Sequence, residues 1–109
     1  MIELKIKPLS INEAFQGRRF KTDKYLKYER DVLFLLPKIC PKFDRYSIIL
    51  VFGVSNIGND IDNGLKPFID ILQKKYGFND KYIFELIVKK EIVKKGSEYI
   101  KFLINEYKL

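Results

Sequence analysis

Residues 46–54, Y-S-I-I-L-V-F-G-V, are apolar in both alternations, with Ile48, Leu50 and Phe52 on one side and Ile49 and Val51 on the other. A strand without a polar face belongs inside a sheet, flanked at both edges and covered on both faces. This segment is therefore expected to be the central strand around which the other elements are arranged.

The flanking patterns fill in the frame. Ile2, Leu4 and Ile6 alternate with Glu3, Lys5 and Lys7, the period of a half-buried strand, and Pro8 ends it. Residues 9–21 read as irregular, with Gly17 as a hinge. Thr22 or Asp23 caps a helix running to about Leu36, where Pro37 forbids continuation. Its stripe of Tyr25, Tyr28 or Glu29, Val32 and Leu36, widened by Leu26 and Leu33, is expected in the core. Leu65, Phe68, Ile69 and Leu72 have the spacing of a second helix face, with Pro67 in its first turn and Gly77 just past its end. Residues 83–93 and 98–107 read as an antiparallel hairpin joined by a Lys94-Lys95-Gly96-Ser97 turn. The expected order is β-α-β-α-β-β, a single α+β domain over residues 1–109 with a mixed sheet of about four strands and two helices.

Charge and missing residue types narrow the function. Lys and Arg number 21 against 14 Asp and Glu, a net charge of +7, which favours an anionic partner, nucleic acid first and an acidic membrane surface second. No apolar run reaches transmembrane length, and no signal-peptide core follows Met1. Cys40 stands alone, so no intrachain disulfide forms; a reducing, cytoplasmic setting and a buried, inert thiol are expected. With no histidine, a Ser-His-Asp triad and a Cys/His zinc site are excluded. Any hydrolysis must use carboxylates, lysines and bound metal.

The carboxylates concentrate in residues 59–80, N-D-I-D-N-G-L-K-P-F-I-D-I-L-Q-K-K-Y-G-F-N-D. Asp60 and Asp62 fall between the central strand and the following helix, and in an extended link residues two apart point the same way. Asp80 arrives in the turn after the helix. Three carboxylates on loops at one end of a sheet suit a hard cation such as Mg²⁺. The competing reading is local: Asp62 or Asn63 serves as a helix cap, and Lys66 forms an i,i+4 ion pair with Asp62 or Asp70. An EF-hand is excluded, because no Glu closes a loop counted from Asp60 and the glycine is misplaced.

Asp60-Ile61-Asp62-Asn63-Gly64-Leu65-Lys66-Pro67, followed by Asp70 and Asn79-Asp80, resembles the core of the RusA family of Holliday-junction endodeoxyribonucleases. Pro8-Leu9-Ser10-Ile11-Asn12 and the Tyr25/Tyr28 segment resemble that family's opening, so the similarity spans nearly the whole chain. The resemblance implies a RusA-like fold and a homodimer. It implies Mg²⁺-dependent (or Mn²⁺-dependent) resolution of four-way DNA junctions by paired symmetric nicks, in recombination and repair. It assigns Asp60, Asp62 and Asp80 to the metal and Lys66 to the scissile phosphate, leaving Asp70, Asn63 and Asn79 as secondary site residues. Two positions depart from the family pattern: Asn79 replaces one of a pair of acids, and Gly64 replaces a larger apolar residue.

DNA contacts are expected from Arg18, Arg19 and Lys21, with Phe15 and Phe20 interleaved, and from Lys94 and Lys95. Two alternatives stay open. One is a non-catalytic basic DNA-binding protein whose acidic turn only caps a helix; the other is a nuclease of the same fold acting on forks or flaps.

Overall fold

A computed structural model describes residues 1–17 and 20–109. Along the chain the elements are β1 (Ile2–Leu4), α1 (Ile11–Ala14), β2 (Phe15–Gln16), β3 (Phe20–Lys21), α2 (Asp23–Leu35), β4 (Tyr46–Val54), α3 (Leu65–Tyr76), a 3-10 turn (Asp80–Tyr82), β5 (Ile83–Ile92) and β6 (Tyr99–Glu106). The larger elements follow the expected order. The short α1 helix and the β2–β3 hairpin occupy the stretch expected to be irregular.

The doubly apolar segment is the central strand. The main sheet has the order β1-β6-β4-β5, with β4 parallel to β5 and antiparallel to β6, and β6 antiparallel to β1. This corrects the expected β5–β6 hairpin, because β4 lies between the two strands. β4 can pack on either face and bond along both edges, so it takes the middle place, and the more polar β5 goes to the edge.

Only one face of the sheet carries the core. Ile48, Leu50, Phe52, Ile100 and Phe102 are buried against Tyr25, Val32, Phe68, Ile71 and Leu72 from α2 and α3. On the opposite face, register places Ile49 between Ile87 and Leu103. Ile49 there is half-buried and Ile87 is 40% exposed. β4 is thus shielded on that side by its strand neighbours rather than by a second layer, contrary to the expectation that both faces are covered.

Helix ends follow local chemistry. The Thr22 hydroxyl accepts from the Tyr25 N–H and caps α2, whose Tyr25, Tyr28, Val32 and Leu36 stripe is buried as expected. Leu26 is 51% exposed and does not widen it. Pro67 occupies the first turn of α3, where its missing N–H leaves no helical bond unmade. Gly77 closes α3 at φ 71°, in the left-handed region that favours glycine. Cys40 is exposed rather than buried, since it falls in the Pro37–Pro41 connection outside every packed element. Among the described residues, no helix is long and apolar enough to cross a membrane.

Candidate functional site

The loop leaving β4 turns back on itself before α3 begins. The Asn56 side-chain carbonyl accepts from the Gly58 N–H at 2.8 Å, and its backbone carbonyl accepts from the Asn59 N–H at 3.1 Å. The Asn63 N–H then donates to the Asp60 carbonyl and the Leu65 N–H to the Asp62 carbonyl, each at 3.1 Å. These are successive turns, so Asp60 and Asp62 do not sit in an extended link.

Asp60 and Asp62 line different, adjoining clefts. Asp62 lines a cleft of about 610 Å³ together with Asn63, Lys66, Asp70, Asp80 and Glu85. Asp60 instead lines a neighbouring cleft of about 400 Å³ with Lys7, Ser10, Lys90, Lys95 and Glu98. Asn63 borders both, and its backbone carbonyl accepts from the Ile11 N–H at 2.8 Å, tying α1 to the acidic loop.

Asp80 is brought to the first cleft by α3. Its backbone N–H donates to the Gln73 side-chain carbonyl at 2.9 Å, fixing the 3-10 turn beside the helix. The Asn79 side chain accepts from the Lys81 N–H at 3.0 Å, so its amide serves as the cap of that turn.

The local reading of these residues is only partly realised. Gly64 is the N-cap of α3 and no side chain caps the helix, so Asp62 and Asn63 do not play that part. Among the described residues, the Asp60, Asp62 and Asp80 carboxylates enter no ion pair within 4.0 Å. Lys66, by contrast, forms the expected i,i+4 pair, its Nζ lying 3.3 Å from Asp70 Oδ2. The Glu85 carboxylate is already engaged, accepting from the Ser47 hydroxyl at 2.6 Å.

Behind Asp70 the cleft continues into a second groove lined by Lys21, Tyr25, Glu29 and Lys74. The Glu29 side chain is 12% exposed and takes Lys74 at 3.2 Å and Lys21 at 3.6 Å. Burial, with the Glu29 and Asp70 carboxylates adding, pushes the Tyr25 hydroxyl well above the usual phenol range. Lys21 also lies 5.1 Å above the Tyr25 ring, so this predicted DNA contact is held against the protein. Phe15 packs on Tyr25, and Phe20 is 75% exposed. Arg18 and Arg19 lie outside the described residues. Lys94 and Lys95 are exposed at the β5–β6 turn.

The donor chemistry fits a divalent cation: hard carboxylate oxygens, two of them uncommitted in one cleft. Among the described residues no three acidic, cysteine or histidine side chains are gathered into a ready metal cluster. Gln73 and Lys90 were not singled out in the sequence. Lys90 had a readable signal, because it continues the inward phase Leu86, Val88 of its strand. Gln73 had none. No family model matches the sequence, and no curated protein does.

Proposed function

We propose that the protein is a Mg²⁺-dependent, structure-selective endodeoxyribonuclease that resolves four-way DNA junctions, of the RusA type. The observation that carries this reading is the single cleft shared by Asp62, Asp80, Lys66 and Asp70, set in a chain of net charge +7. Asp62 and Asp80, with Asp60 from the adjoining cleft, would hold Mg²⁺, or Mn²⁺ in its place. When bound, the ion supplies an activated water and neutralises charge on the phosphate. Lys66, held at the cleft by Asp70, offers positive charge to the phosphate as negative charge grows. The basic excess draws in the DNA backbone, and exposed Lys94 and Lys95 extend that field.

Two opposed nicks need two sites, which a two-fold homodimer provides. The apolar row of Ile49, Ile87 and Leu103 on the open sheet face supports self-association. Purified protein in Mg²⁺ should nick a four-way junction in paired opposed strands, faster than matched forks or linear duplex. Equal or preferred cutting of forks would reassign it to the fork or flap class. Binding without nicking in either ion would leave a DNA-binding protein.

A further inference from the structure

The loop that carries Asp60 and Asp62 is fastened from outside by a side chain far away in sequence. Lys90 Nζ donates to the Asn59 carbonyl at 2.7 Å and to the Ile57 carbonyl at 3.1 Å. Register explains the reach. Lys90 pairs with Phe52 at the end of the sheet, on the inward phase after Leu86 and Val88. An apolar residue there would pack under the core, but this end of the sheet is roofed by the acidic loop. The amine therefore meets the Ile57 and Asn59 carbonyls, which accept no other bond among the described residues.

We infer that Lys90 is a positioning residue that holds the acidic loop in register with β5. Two charge-assisted bonds to carbonyls flanking Gly58 fix the backbone immediately before Asp60. Among the described residues the loop's internal bonds, within 56–59 and 60–65, set its turns, and the Ile11 N–H to Asn63 carbonyl bond ties its far end to α1 rather than to the sheet. Lys90 supplies the anchor to the sheet. The consequence for nicking rests on the nuclease reading, while the anchoring itself does not.

The test is amide hydrogen exchange on metal-free protein, comparing wild type with Lys90→Met and Lys90→Arg. In Lys90→Met the Asn59 and Asn63 amides should exchange about tenfold faster or more, the loss expected for a charged hydrogen bond. Amides within β4 should not change, and Lys90→Arg should restore protection. Unchanged loop exchange in a folded Lys90→Met protein overturns the inference, as does a uniform rise across β4 and the loop. A reading on wild type alone guards against a variant that fails to fold. With ¹⁵N-labelled lysine, the Lys90 ammonium protons should exchange more slowly than those of exposed Lys89, and equal rates overturn the inference. If the protein nicks DNA, Lys90→Met should also raise the Mg²⁺ concentration for half-maximal rate. A protein that nicks nothing, yet shows the exchange pattern, refutes the nuclease reading and leaves the anchor standing.

Discussion

The Lys66 ammonium lies 3.3 Å from the Asp70 carboxylate, one helical turn further along α3, and both line the cleft that holds Asp62 and Asp80. The Lys66 side chain is 60% exposed, and a surface i,i+4 pair of this kind contributes only about 0.2–0.5 kcal/mol to the helix. Its place at the cleft matters more than its stability. Lys66→Ala should slow nicking on the order of a hundredfold while leaving the Mg²⁺ half-saturation and the melting temperature near wild type. Asp70→Asn should slow it less, because Asp70 acts through Lys66. Normal nicking by Lys66→Ala, with a lowered melting point, would return the pair to an ordinary helix contact.

Gly53 faces Tyr99 across the β4–β6 pair, and a Cβ on Gly53 would meet the Tyr99 ring at 2.6–2.8 Å. The ring lies over the bare glycine and shields that end of the strand. Gly53→Ala should destabilise the fold by about 1–3 kcal/mol through overpacking. Thermal melts of Gly53→Ala alone and in a Tyr99→Ala background check this, with most of the cost disappearing in the double variant.

The same tyrosine gives a pH dependence. The Tyr99 hydroxyl donates to the Glu91 carboxylate, which, with some desolvation, pushes its pKa up to about 12. The folded-state value is raised, so this contact is fully present below the ordinary phenol value of about 10. It is lost as pH climbs from there through 12. Ultraviolet titration should show several tyrosines ionising late, Tyr25 and Tyr99 among them, and Glu91→Gln should bring Tyr99 alone back toward the ordinary range.

Strand and helix periods were readable from the sequence; burial was readable only in part, since Leu26 and Cys40 are exposed, and pairing partners were not. The period of residues 46–54 located the central strand, and Thr22, Pro37, Pro67 and Gly77 marked helix ends, because each acts within a few residues of itself. The β5–β6 hairpin was misread because a short connection looks the same whether its strands pair or straddle a third. That choice depends on competition for the edges of β4. In the site, Asp62, Lys66, Asp70 and Asp80 line one cleft. Asp60 lines the adjoining cleft, because the Asn56 turn and the backbone carbonyls that meet Lys90 shape a loop that reads as extended in the sequence.

Exposed Lys94 and Lys95 should contact phosphates, Lys95 at the rim of the cleft that Asp60 lines. Replacing both with Ala should weaken junction binding about equally for all sequences and reduce its salt slope by roughly one unit per lost contact. An unchanged slope would place the DNA surface elsewhere on the molecule.

Nicking and binding of one labelled four-way junction, by wild type and by Asp62→Asn, test the central claim most directly. In Mg²⁺ the wild type should cut paired opposed strands, and excess chelator should stop it. Asp62→Asn should not cut, yet should bind the junction at least as tightly, because a charge that repels phosphate is gone. Cutting at the wild-type rate by Asp62→Asn, or by wild type in chelator, would contradict the account.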